Sequence, residues 1–139
     1  MDAKLLERLR ESLLGPDRYA TFVTISPTGS PRGRTMTLVE IDDDGNFWFS
    51  TLRSSRKIGD IQQNPQVSMS FRAPPGSVNV EGQASVTEDP ATKKRMFSPA
   101  WNIFGYDGPE DPKWVLIKVA PRTAEFVDAK TRESETFYS

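Results

Sequence analysis

Cysteine and histidine are both absent from the 139 residues. Without cysteine there is no disulfide framework, no thiolate nucleophile and no sulfur-ligated zinc. Without histidine a Ser-His-Asp triad is excluded, and so is the commonest general base near neutral pH. No apolar run approaches the roughly 18 residues that a membrane-spanning helix needs, so no membrane partner is expected. A basic surplus is missing too. Lys and Arg number 18 against 19 Asp and Glu, a net charge of −1, whereas nucleic-acid-binding domains usually carry positive charge. No nucleic-acid partner is expected. Any redox or acid-base chemistry must then come from a bound cofactor, or from carboxylate, lysine, arginine and tyrosine groups.

The length suits one domain over residues 1–139, with a single core. Apolar residues make up 36%, a modest supply that leaves room for burial at a subunit interface. The N-terminal stretch Met1–Gly15 carries charges throughout and does not read as a signal peptide, so a cytoplasmic location is expected.

Residues 2–14 read as an amphipathic helix. Asp2 can cap it, Leu5, Leu6, Leu9 and Leu13 share a face, and Gly15-Pro16 ends it. Strands are expected over 19–25, 32–41 and 47–51. In the second, Thr35, Thr37, Val39 and Ile41 line one face, with Arg34, Met36, Leu38 and Glu40 on the other. Asp42-Asp43-Asp44-Gly45-Asn46 signals a hairpin that places residue 38 roughly opposite 51. Its three carboxylates read as a solvated turn rather than a cation site. Ser54 or Ser55 can cap a short helix that stops at Asn64-Pro65. Further strands are expected over 67–71 and 77–86, with Gly82 suited to a bulge. A helix opens at Asp89-Pro90 and reaches about Phe97, its Lys93-Lys94-Arg95 run reading as a solvated face. Residues 100–113 read as an irregular loop. A sixth strand covers 114–119, with 122–127 extending or following it, and 129–139 reads as a polar, frayed tail. The pattern predicts a mainly β (α+β) chain, an antiparallel barrel of six to seven strands with short helices.

Arg32, Arg34, Arg53, Arg56 and Lys57 fall within 26 positions. In Phe47–Lys57 a strand ends in hydroxyl residues, a basic turn follows, and a helix begins. The first turn of a helix offers unpaired N–H groups and the positive end of its dipole to an anion. Ser55 adds a hydroxyl, Arg56 can clamp phosphate oxygens in pairs, and Lys57 supplies a point charge. Arg34 lies roughly 13 Å along the strand from the level of Thr51 at the usual rise, within convergence on the same turn. Solvated surface charge is the plainer account of such residues.

The stretch Tyr19–Val86 resembles the FMN-binding split-barrel family of pyridoxamine-phosphate-oxidase-like proteins, and within it the general-stress-protein branch. The resemblance is carried by Arg34-Thr35-Met36, Phe47-Trp48-Phe49-Ser50-Thr51, Ser54-Ser55-Arg56-Lys57, Ile61, Asn64-Pro65-Gln66-Val67 and Val80-Glu81-Gly82-Gln83-Ala84, in matching order and spacing. Asp111-Pro112 and Ala124-Glu125-Phe126 also look like the stress branch. The resemblance implies a homodimer with the flavin in a cleft between subunits. Arg34, Ser55, Arg56 and Lys57 would hold the FMN phosphate. The backbone of Thr35, Met36 and Thr37, with Ser50 and Thr51, would border the ribityl chain and the ring. Ser77 stands where oxidase relatives carry a polar flavin contact. FAD or a deazaflavin are alternatives to FMN.

The chain departs from that pattern in places. Thr35 stands where stress-branch relatives usually have proline, Trp101–Gly108 replaces a Trp-Phe-Pro-Gly-Gly run, and Val127 replaces a tryptophan. True pyridoxamine-phosphate oxidases add a C-terminal segment with Arg and His. This chain ends at Ser139 without one, so vitamin-B6 oxidation is not expected. Trp101, Phe104 and Tyr106 can stack on a flavin across a dimer interface or pack their loop onto the barrel. Three functions follow as alternatives. The first is a flavin-dependent oxidoreductase using a nicotinamide cofactor or a small organic substrate. The second is a non-catalytic flavin-binding stress or redox-sensing module. The third, disfavoured by the charge, is a barrel for single-stranded nucleic acid.

Overall fold

The computed structural model describes residues 1–138, apart from the side chains of 102–104. Its elements are α1 (Ala3–Leu13), β1 (Tyr19–Ile25), β2 (Pro31–Ile41), β3 (Phe47–Leu52), α2 (Arg56–Gln63), β4 (Gln66–Ala73), β5 (Gly76–Thr87), α3 (Pro90–Met96), a 3-10 helix (Pro99–Phe104), β6 (Trp114–Asp128) and β7 (Ser134–Tyr138). Caps set the helix starts as the sequence predicts. Asp2 accepts from the N–H of Lys4 and Leu5, and Asp89 from that of Thr92, with Pro90 in the first turn. No helix among the described residues is long and apolar enough to cross a membrane.

All seven strands pair antiparallel in the order β3-β2-β1-β4-β5-β6-β7, and β6 also pairs with β3. That last pairing closes six strands into a barrel and removes most of the open edge. β6 is one strand of 15 residues rather than two. Its first half, Trp114–Val119, closes the barrel against β3, and its second half, Thr123–Val127, carries β7. Between the halves the β5–β6 register skips Arg122, a bulge opposite Glu81 and Gly82. Gly82 is obligatory there, because a Cβ would come within 2.4 Å of the Ala120 carbonyl oxygen.

A second bulge falls at Val39. Leu38 pairs with Phe49 and Glu40 with Trp48. The expected pairing of 38 with 51 is therefore displaced by two residues. The extra residue also switches faces, so Met36 and Leu38 point into the core before the bulge and Ile41 after it. Simple alternation had put Ile41 on the opposite side.

The barrel is filled by Phe22, Leu38, Phe49, Met69, Val78, Val80 and Ile117, joined by Leu5, Leu9 and Leu13 of α1 and Ile58 and Ile61 of α2. On the other face of β3 and β6 lies a second cluster of Trp48, Met96, Tyr106, Trp114 and Leu116. Successive strand residues point oppositely, so Phe49 fills the first core and Trp48 the second.

The tail expected to fray over 129–139 instead forms β7. Two contacts anchor it: Phe137 packs edge-on against Phe126 at 5.8 Å, and Glu135 pairs with Arg8 of α1 at 2.9 Å. Lys93 is likewise not solvated. It is buried, its ammonium donates to the carbonyls of Asp111 and Trp114 at 2.9 Å each, and it lies over the Trp114 ring. Asp42 is more than a turn residue. It accepts from the Trp48 indole and from Asn46 and Asp44, tying the hairpin tip to the second cluster.

Candidate functional site

The β2–β3 ladder extends only from Ile41 to Leu38. Over residues 31–37, β2 is paired with β1 alone, and Ser50 and Thr51 of β3 are paired with β6 alone. The chain then turns from Leu52 into α2, whose first turn meets the end of this opening. Ser55 holds the N-cap position in an extended conformation, yet its side chain makes no capping bond. The N–H groups of Arg56 and Lys57 thus receive no capping bond from Ser55, while that of Ile58 donates to the Ser55 carbonyl at 3.2 Å. Instead the Ser55 hydroxyl accepts from the Lys57 ammonium at 3.1 Å, and the Thr51 hydroxyl does so at 2.8 Å. Strand end, turn and helix are thus joined by one half-buried lysine.

Arg34 reaches the same place from β2. Its Nη1 donates to the Thr24 hydroxyl at 2.8 Å, to the Arg32 carbonyl at 2.9 Å and to the Phe22 carbonyl at 3.3 Å. Asp60, on the inner side of α2, accepts from the Thr24 hydroxyl at 2.8 Å. Its carboxylate lies 3.9 Å from both Arg32 and Arg34. Arg56 is exposed and, among the described residues, makes no side-chain hydrogen bond or ion pair. Burial pushes the Lys57 ammonium below its ordinary value, and the charge of Arg34 pushes the same way. Arg34 is lowered by burial first; Asp60 opposes that shift, while Arg56 and Arg32 add to it. Arg34 and Lys57 therefore each feel neighbouring positive charge. Arg32 and Arg34 face the Asp60 carboxylate, and Arg56 and Lys57 lie within electrostatic reach of Arg34, an arrangement that an incoming anion would relieve.

The donor set fits a phosphate monoester: two guanidinium groups and an ammonium for the charge, a serine hydroxyl, and an uncapped helix start. The structure brings together Arg34, Thr51, Ser55, Arg56 and Lys57. Thr35 and Thr37 lie exposed on the singly paired length of β2, Met36 between them turns into the core, and Ser50 is partly exposed beside Thr51. Arg53, grouped with these cations by sequence, turns away to pair with Glu88 and to donate to the Pro112 carbonyl at 2.7 Å.

Ser77 lies elsewhere within this chain. It pairs with Arg72 and Val127 and lines a cleft of about 790 Å³ beneath α1. The charges of that cleft are mixed, Arg8 standing among Glu11, Asp128, Glu133 and Glu135. Positive charge is concentrated instead at the β2–α2 junction. Trp101 belongs to the second aromatic cluster, edge-on to Trp114 at 5.5 Å and to Phe97 at 5.7 Å. Tyr106 stacks on Trp114. These two rings pack the loop onto the barrel, and the Phe104 side chain lies outside the described residues.

Three members of the junction were not singled out as site residues from the sequence: Thr24, Arg32 and Asp60. Two signals were present. Arg32-Gly33-Arg34 places two arginines on one face of a strand, and Asp60 sits between Ile58 and Ile61 on an inward helix face.

Comparison with known proteins agrees with this architecture. A family model described as pyridoxamine 5'-phosphate oxidase like matches residues 5–139. Among solved structures, general stress protein 26 from Bacillus anthracis str. Sterne superimposes with a TM-score of 0.80 at 28% identity, covering 97% of this chain and 98% of that one. A pyridoxamine 5'-phosphate oxidase-related, FMN binding protein from Nostoc punctiforme PCC 73102 shares the fold at a TM-score of 0.76 and 16% identity, covering 99% and 96%. Among curated sequences, the pyridoxine/pyridoxamine 5'-phosphate oxidase of Bacteroides fragilis is 42% identical over 64 residues, 45% of this chain. The matched stretch spans only 27% of that oxidase's length. With a closed six-stranded barrel and a family match running from Leu5 to Ser139, the chain belongs to the pyridoxamine 5'-phosphate oxidase-like family.

Proposed function

We propose that this chain binds FMN, with the phosphate held by Arg34, Ser55, Arg56 and Lys57, and that the loaded protein is a flavin-dependent oxidoreductase. The observation that carries the reading is the convergence of four cations on one strand–helix junction with a single carboxylate among them. Lys57 enters binding with its ammonium already fixed by Thr51 and Ser55, so little ordering entropy remains to be lost. Arg56 is exposed and uncommitted, free to close over a phosphate oxygen. The singly paired length of β2 offers the backbone of Thr35, Met36 and Thr37 along one side of the ligand, with Ser50 and Thr51 on the other. When bound, FMN supplies the electron and hydride transfer, and the protein supplies position and field.

The reading includes a homodimer in which Ser77 and Trp101 of one protomer face the flavin bound by the other. A nicotinamide cofactor or a small organic molecule is the electron donor. The lack of histidine favours a second reading, a flavin-binding module without turnover.

The test of binding is fluorescence titration with FMN and with riboflavin, which lacks the phosphate. FMN should bind more tightly by a factor of roughly 1,000 or more, since several charged hydrogen bonds are involved and each contributes roughly 1.5–3 kcal/mol. Equal affinities would remove the phosphate site. Stopped-flow reduction by NADH or NADPH separates the two functions: no reduction faster than that of free FMN leaves the module.

A further inference from the structure

A carboxylate buried at an anion site calls for a reason. Asp60 is only 2% exposed and sits on the face of α2 that also buries Ile58 and Ile61. An apolar residue there would avoid the cost of desolvating a charge. The local geometry shows what the charge faces. Asp60 is 3.9 Å from an Nη of Arg32 and from an Nη of Arg34, within ion-pair range but beyond hydrogen-bond length. The one hydrogen bond it accepts comes from Thr24, a fully buried hydroxyl that in turn accepts from Arg34. All three hydrogen bonds of the Arg34 guanidinium leave from Nη1. Its Nε and Nη2 have no hydrogen-bond acceptor among the described residues, and Nη2 meets only the distant Asp60. Half of the fork is anchored and half is left open.

We infer that Asp60 is a resident counter-ion of this site: it balances Arg32 and Arg34 while no phosphate is present and competes with phosphate for them when one arrives. The inference builds on the phosphate site of the proposed function and adds a determinant of its affinity. Thr24 holds Arg34 through the anchored side of the guanidinium, so Asp60 contributes charge at a distance rather than a direct bond. The field of Asp60 keeps Arg32 and Arg34 together in the empty protein. The same field opposes a dianion, and the trade between empty-state stability and ligand affinity is set at this one residue.

Asp60→Asn is the direct test, because the amide oxygen still accepts from Thr24 while the charge is gone. Melting temperature is measured without ligand, with inorganic phosphate and with FMN, and affinities for FMN and riboflavin are measured at low salt. The empty variant should melt lower than the wild type, and saturating FMN or phosphate should narrow that gap. FMN should bind roughly three- to tenfold more tightly than to the wild type, as expected for removing one nearby like charge from a partly solvated site. Riboflavin affinity should not change, and Asp60→Glu should behave as wild type. A purely packing role for Asp60 would weaken binding of both flavins and lower stability whether or not phosphate is present. FMN binding that is unchanged or weaker in Asp60→Asn overturns the inference. If that variant does not fold alone, recovery by phosphate supports the counter-ion and failure to recover overturns it. If wild type ignores FMN while phosphate still protects Asp60→Asn more than wild type, the flavin reading falls and the counter-ion stands.

Discussion

Lys57 couples the site to pH in two opposite ways. Its folded pKa is lowered, chiefly by burial and then by Arg34, below the ordinary 10.5. Folding therefore disfavours its protonated form. As pH rises from the lowered value towards 10.5, the unfolded chain binds more protons than the folded one at this position, and the empty protein gains stability. A phosphate dianion asks for the opposite, a charged lysine. FMN affinity should fall over that same window. Lys57→Arg, which stays charged, should flatten the fall, and a titration series from neutral to alkaline pH checks it. Asp42 shows a different balance. Burial would raise its pKa, but the bonds from Trp48, Asn46 and Asp44 outweigh that and lower it. At this scale the sequence reveals residue types better than partners. The cations of the junction were legible as a cluster. Asp60 was marked only by its place between Ile58 and Ile61, because an acidic residue on a short helix looks like solvated surface until the strands bearing Thr24 and Arg34 are packed against it. Lys93 failed for the same reason: its acceptors lie 18 and 21 residues further along the chain.

At the scale of elements, strand positions followed from alternation and helix starts from Asp2 and Asp89. Register did not, because a bulge inserts one residue without changing composition. Val39 and Arg122 each do so, and each redirects everything beyond it. The joining of 114–119 and 122–127 into one strand depends on the second bulge, and β7 takes its ladder from that strand. Close approach of backbones makes Gly76 a sharp probe of this arrangement. A Cβ there would lie 1.6 Å from the Val127 carbonyl oxygen, a backbone atom that cannot step aside alone. Gly76→Ala should cost about 2–4 kcal/mol in urea unfolding by forcing β5 and β6 apart. A loss within about 0.5 kcal/mol, the range of an ordinary surface change, would mean the β5–β6 pairing is looser than described.

The whole molecule presents its surfaces unequally. The aromatic cluster and α3 cover the outer face of β3 and β6, whereas Tyr19, Thr21, Thr35 and Thr37 leave the outer face of β1 and β2 exposed. Tyr19 is 56% exposed on that face. That face adjoins the singly paired part of β2, where the ligand is proposed to lie. A second copy seated there would cover the face and the flavin together. Light scattering at micromolar concentration should give twice the 15.6 kDa of one chain. A single-chain mass would leave Ser77 and Trp101 without a route to the ring.

Barrel, cradle and dimer meet in one claim, that the junction of β3 and α2 grips the phosphate of a flavin nucleotide. Calorimetric titration of FMN into wild type and into the Arg56→Ala, Lys57→Ala double variant tests it most directly. The wild type should bind one FMN per chain, and the double variant should lose about 3–6 kcal/mol, two charged hydrogen bonds' worth. Equal affinity in the two proteins would contradict the account.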